Sequence, residues 1–362
     1  MSRASASQVD VWIGTTTPGG GMSQGIYYAQ LDLENGRLSV PQLAAKFPDP
    51  GFLAVHPQLP VLFSTGSSNG EAVVASWRIG ERGPLTLLST QAVGDGGATH
   101  LGTDRSGRVL LTAQYGGGSA AIFPVDSDGR IGPRGELYKH GGGSRVVEGR
   151  QDEPHAHWIG TSPDNRFVFV PDLGMDQVVI YRLHVDPPTL AHHGSGVCPP
   201  GGGPRHMKFH PSGKFIYVLN ELALTVTTFA YDTRAGTMTE IQTVPTVSEA
   251  AKAKEQFVSA SEIRVHPTGA FVYAANRGHD TISVFQIHPD RGTLTWVENE
   301  PIRGSWPRNF NVAPSGQWLV AAGRDSHSLT LFSIDSSSGE LTYARQSVFV
   351  PTPICVTFGA QR

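Results

Sequence analysis

A repeat with a period near 48 residues constrains this chain more than any other feature. Aligned on the turn residue after each first apolar run, Pro57, Arg105, Pro163, Pro211, Pro267 and Pro314 fall at intervals of 48, 58, 48, 56 and 47 residues. A fixed period of this length signals one supersecondary unit stacked against its own copies. It overrides the length of 362 residues, which alone would suggest two or three separate domains. Each unit alternates runs rich in Val, Ile, Tyr and Phe with Gly, Pro, Asn, Asp and Ser turns, the pattern of β-strands. In the clearest copy the runs are RHMKF, FIYVLN, TVTTFAYD and MTEIQTV. Four-stranded units of this length predict β-propeller blades.

Six units are complete or nearly so. PTPICVTFG (Pro351 to Gly359) reads as one more first strand, while VDVWIGT, GIYYAQLD and LSVPQLA read as strands two, three and four without a first. Joined, they make a seventh blade that closes the ring and removes open sheet edges. The expected fold is all-β: a seven-bladed propeller, four antiparallel strands per blade, one domain over 1–362. VSEAAKAKEQ (Val247 to Gln256) is the one helical run, with Ser248 as its N-cap.

A net charge of −3 without long runs of one sign argues against nucleic acid or an anionic membrane as partner. No apolar run is long enough for a membrane helix, and MSRASASQVDVWIG lacks the apolar core of a signal peptide, so a soluble, cytoplasmic protein is expected. Cys198 and Cys355 have neither disulfide-framework nor metal-ligand spacing and read as free thiols.

Two rings of positions carry the polar residues. Six residues before each aligned turn stand Gly51, Thr99, His157, Arg205, Ser261 and Arg308; ten residues after it stand Ser67, Tyr115, Leu173, Glu221, Arg277 and Arg324. In an antiparallel blade both positions lie at the same end of the sheet. The two long insertions, one at roughly 127–153 and one around the helical run, arrive at that end as well. His157, Arg205, Arg308, Glu221, Arg277 and Arg324 should therefore converge on one mouth of the central channel. A His, a carboxylate and several Arg in a cleft suit acid–base chemistry on an anionic substrate. His155 and His157 form an HxH pair, but no Cys or acidic cluster completes a metal site, so neither metal nor cofactor is expected. His56, His210 and His266 recur with the repeat and read as turn-stabilising.

FLAVHP, QYGGGSAAIFPV, DEPHAH, VPDLGMDQVVIYRL, GPRHMKFHPSGKFIYVLNE, SEIRVHP, NRGHDTISVF and PTPICV together resemble the lactonase family of seven-bladed propellers. That family includes propeller-type 6-phosphogluconolactonases and carboxy-cis,cis-muconate cyclases. The resemblance covers nearly the whole chain and implies catalytic roles for His157, Arg205, Glu221 and Arg277. His155, His206, Arg308 and Arg324 are the expected substrate contacts. The PHAH, PRH, NE and NRGHD motifs are more similar to the phosphogluconolactonase branch. The chain departs from the family at STGSSNG, where an Asn-Glu ending is usual, and at Gln114, where an Asn is usual. The implied activity is metal-independent hydrolysis of a small anionic sugar lactone, with 6-phosphogluconolactone foremost. A lactone-forming cycloisomerase and a non-catalytic binding platform are the alternatives.

Overall fold

The computed structural model describes residues 8–17 and 22–361; residues 1–7, part of the segment inspected for a signal peptide, lie outside these. Seven antiparallel sheets form the blades of a propeller. Blades 1 to 6 occupy residues 53–92, 100–139, 160–197, 204–245, 259–301 and 307–349. Blade 4 shows the pattern: Pro204–Phe209, Phe215–Asn220, Thr225–Asp232 and Thr237–Pro245, paired in chain order from channel to rim. Blade 7 takes its innermost strand, Pro353–Gln361, from the end of the chain and pairs it with Gln8–Thr15, with Trp12 opposite Thr357 and Ile13 opposite Val356. The expected closure is therefore present. The outermost strand of this blade is split into Arg37–Leu38 and Gln42–Lys46. Pro41 lies in the gap, where a residue without an N–H cannot continue the ladder.

The core lies between the blades. Each of seven apolar clusters is shared by two neighbouring blades; one joins Phe167, Phe169 and Val178 of blade 3 to Met207, Ile216 and Phe229 of blade 4. Burying one such side chain is worth about 1.5–3 kcal/mol, so each blade is stabilised mainly by its neighbours. The outer hairpins add fixed contacts. Gly292 has φ +68°, and a Cβ there would come within 2.5 Å of the Phe215 ring, while its carbonyl accepts from the Tyr217 hydroxyl at 3.0 Å. Glycine meets both demands, since it tolerates positive φ and carries no side chain.

The recurrent histidines are structural. His56, His210 and His266 reach into the next blade, and each Nε2 bonds the carbonyl of a turn glycine, Gly107, Gly269 and Gly316, at 3.0, 2.9 and 2.8 Å. Each Nδ1 accepts from a backbone N–H of its own turn, which fixes Nε2 as the donor. The helical run forms a single turn, Glu249–Lys252, capped by Ser248. Both cysteines are buried and unpaired. Among the described residues no helix is long and apolar enough to cross a membrane.

Candidate active site

The first strands of blades 4, 5 and 6 each carry a bulge where they enter the channel. Pairing jumps from Pro204–Asn220 to His206–Leu219, from Ala260–Asn276 to Ile263–Ala274, and from Pro307–Gly323 to Asn309–Ala322. A bulge inserts an extra residue and breaks the alternation of side chains between faces. Arg205 and His206, and likewise Arg308 and Asn309, therefore line the same cavity as consecutive residues.

Glu221 organises the mouth. Arg205 Nε donates to Oε2 at 2.8 Å, and Oε1 takes Arg150 at 2.8 Å and Arg277 at 3.1 Å. Burial alone would raise its pKa, but Arg277 and Arg205, with His157 and Arg150 behind them, hold the carboxyl far below the usual carboxylate range. Arg205 also donates to Ser261 O, and Arg277 to Ala260 O at 2.8 Å. Burial and the nearby Arg308 pull Arg205 down to about 9, which leaves it charged at neutral pH. These guanidinium groups are thus fixed by one carboxylate and by strand carbonyls.

Arg150 comes from the first long insertion, which is pinned to blade 3. His140 Nδ1 lies 2.6 Å from Asp172 Oδ2, and Gln151 Nε2 donates to Leu173 O and Asp176 Oδ1. Asp176 in turn accepts from the backbone of Gly201 and Gly203, both at positive φ just before Arg205. One carboxylate therefore ties the insertion to the loop that launches the Arg205 strand. The Gly201 to Gly203 run serves this turn.

Beside this array lies a cavity of about 210 Å³ lined by His157, Arg205, His206, Arg308, Asn309, Thr65 and Thr99, among others. Two groups in it are unengaged. Neither ring nitrogen of His157 has a hydrogen-bond partner among the described residues, although Nδ1 is buried. Burial, then the charges of Arg205 and His206, push its pKa well below the ordinary value, so the imidazole is neutral. The Arg308 guanidinium makes no ion pair or hydrogen bond among the described residues, while burial and Arg277 lower its pKa to about 10. A half-buried cation with no carboxylate in direct contact, facing a cavity with a neutral imidazole, suits an anionic ligand with an electrophilic centre.

The floor of the cavity is a layer of rings. His206 stands 5.3 Å from His157, 5.4 Å from His100 and 6.1 Å from Phe52, centroid to centroid. Its Nδ1 lies 3.1 Å from Oε1 of the fully buried Glu262, whose other oxygen accepts from Asn309 Nδ2. This pair orients His206 much as a carboxylate orients a catalytic histidine.

Of the ring positions, His157, Arg205, Glu221, Arg277 and Arg308 stand together, and His206, which lies outside the rings, joins them. Two expected contacts stand back. His155 stacks on Tyr115 at 4.3 Å and commits Nδ1 to the Tyr115 carbonyl. Arg324 chelates its neighbour Asp325 at 2.6 and 3.1 Å and lies over Trp306, the ring that Arg277 also faces. Arg150 and Glu262 escaped the sequence reading. Arg150 sits in an insertion that has no counterpart in other repeats, and Glu262 enters through a bulge. Among the described residues no three His, Cys, Asp or Glu side chains are grouped as metal ligands.

The family described as "Lactonase, 7-bladed beta-propeller" matches residues 10–358. The chain is 38% identical to a 6-phosphogluconolactonase of Bacillus subtilis, over 96% of this chain and 97% of that one. A 6-phosphogluconolactonase of Formosa agariphila is 30% identical over 80% and 82%. The solved structure of the periplasmic gluconolactonase of Pseudomonas aeruginosa superimposes with a TM-score of 0.90 at 30% identity, covering 98% of this chain and all of that one.

Proposed function

Because the chain belongs to the seven-bladed β-propeller lactonase family, we propose that it hydrolyses 6-phosphogluconolactone, without a metal, in the cavity between His157 and Arg308. The observation that carries this reading is the pairing of an unengaged guanidinium with an unengaged neutral imidazole. Relatives named 6-phosphogluconolactonase over most of the chain support the substrate.

His157 takes the proton of a water as that water's oxygen attacks the lactone carbonyl. The carbonyl π pair moves onto oxygen, and the oxyanion is stabilised by the guanidinium of Arg205 or Arg308. Collapse breaks the ring C–O bond, and the leaving alkoxide takes a proton back from His157. The product acid then ionises. Arg308, as the cation without a partner, is assigned a larger role in anion binding than its ring position alone suggested.

Glu221 is the weaker candidate for the base. Its proton affinity is suppressed by three guanidinium groups, and a base so stabilised in its charged form has little drive to take a proton. Its role here is positioning: it sets Arg150, Arg205 and Arg277.

The test is hydrolysis of fresh 6-phosphogluconolactone against the unphosphorylated lactone, with spontaneous hydrolysis subtracted and with a chelator present in a parallel series. The reading requires turnover that survives chelation and a preference for the phosphorylated lactone. Turnover of a carboxymuconate alone would make the enzyme a cycloisomerase, and stoichiometric binding without turnover would make the propeller a binding platform. The cytoplasmic location expected from the sequence is checked by cell fractionation.

A further inference from the structure

The ring layer divides the channel in two. Below Phe52, His100 and His206 opens a second chamber of about 510 Å³, walled by the first strands of all seven blades and residues leading into them, among them Trp158, Lys208, Arg264, Asn311 and Thr357. No Asp or Glu lines it. We propose that this lower chamber is a second binding site, for a small oxyanion of the phosphoryl class, held by Lys208 and Arg264.

Lys208 follows the Arg205–His206 bulge by two residues, so its side chain leaves the strand below the ring layer. Its ammonium lies 4.9 Å over the Trp158 ring and has no carboxylate partner among the described residues. The indole that carries it is rigidly seated: a Cβ on Gly160 would come within 2.3 Å of the Trp158 ring. Arg264 has one acidic contact, Nη1 to Glu262 Oε1 at 3.3 Å, and its Nε finds no acceptor among the described residues. Glu262 cannot neutralise both cations. The same carboxylate already serves His206, Asn309 and the Ile263 N–H.

Taking a cation out of water costs free energy unless a counter-charge is supplied. The depression of Lys208 to about 7, caused by burial and then by Arg264, expresses that shortfall. An ammonium and a guanidinium lining one chamber match the charge and the several acceptor oxygens of a phosphoryl group better than a single carboxylate. The chamber is large enough for a phosphorylated small molecule as well as for free phosphate. This site is separate from the lactone cavity, and its existence does not depend on the reaction assigned there.

Calorimetric titration of inorganic phosphate into the full chain at neutral pH tests the proposal, with Arg308→Ala as the background that weakens the upper cavity. A phosphate isotherm should persist in Arg308→Ala and weaken by at least about tenfold when Lys208→Met is added, the loss expected of a charge-assisted hydrogen bond. Lys208→Gln serves if Met disturbs the fold, and thermal melts check both. Phosphate should also change tryptophan emission in the parent chain but not in Trp158→Phe. A parallel titration with glucose 6-phosphate separates the sources: tighter binding than phosphate marks a phosphate ester, and equal or weaker binding marks free phosphate. Gluconate, a carboxylate probe, should bind more weakly than either. An isotherm unchanged by both Lys208 variants overturns the proposal, as does binding lost entirely with Arg308.

Discussion

The two ends of each inner hairpin are built from the same repeat and have opposite characters. At the turn end, His56, His210 and His266 do the same thing three times, with both ring nitrogens engaged. At the mouth end no two blades agree. Blade 4 offers Arg205 and Glu221, blade 5 offers Ser261 and Arg277, and blade 6 offers Arg308 and the rim residue Arg324. Repetition marks positions that hold blade to blade. Departure from repetition, together with unsatisfied polar groups, marks positions free to serve a ligand.

The largest effect that could break this contrast is at His157 and Arg308. Changing either to Ala should lower kcat/KM by on the order of 10² to 10⁴, the usual range for a lost general base or charge-stabilising group. Thermal melts should stay near the parent value, because neither side chain makes a hydrogen bond or ion pair among the described residues. A drop in melting temperature that accounts for the lost activity would move these residues to the scaffold side.

Glu221→Gln should fail on both counts. It leaves buried guanidinium groups without a counter-charge, a loss of about 3–5 kcal/mol in urea unfolding, and it releases the Arg positions on which turnover depends. The pH dependence has a definite sign. With its folded pKa depressed, Glu221 contributes stability above its unfolded pKa and loses it as pH falls towards the folded value. The parent should therefore lose stability on acidification below about pH 4 more steeply than Glu221→Gln.

A third expectation concerns the base. The folded pKa of His157 is lowered, so its neutral form persists below the pH at which an ordinary histidine protonates. The pH profile of kcat/KM should run flat through about pH 6.5, with its acid limb displaced downward. An acid limb centred on the ordinary value would place another histidine in the role.

At the turn end, His210→Ala or His266→Ala should cost about 1–3 kcal/mol, by stranding a glycine carbonyl and turn N–H groups, with kcat/KM unchanged within about twofold. Smallest of all is Arg324→Ala. Its exposed pair with Asp325 is worth under about 1 kcal/mol, and kcat/KM should fall by less than about threefold.

The fold was almost wholly legible because a propeller writes its period into the sequence, and closure followed from counting which strands were missing at each end. Arg205, Glu221 and Arg277 were legible because strand ends recur at fixed offsets from the turn. Three features were not. A bulge shifts the facing of side chains without changing residue type, so Glu262 looked like any strand residue beside Ser261. Arg150 depends on a loop path set by His140–Asp172 and Gln151–Asp176, contacts between segments far apart in the chain. The pairing of Arg324 with Asp325 depends on a sequence neighbour, and a count from the turn ignores neighbours.

The closing strand has a consequence for the order of events in synthesis. Ile354 forms part of the cavity wall, and Asn309 Oδ1 is held by the Val356 N–H at 2.8 Å. Both groups belong to the strand that closes the ring, which follows the six complete blades in the chain. Six blades can be complete in the nascent chain while the cavity still lacks a side. The site is finished only when the ring is latched, so the appearance of activity times ring closure.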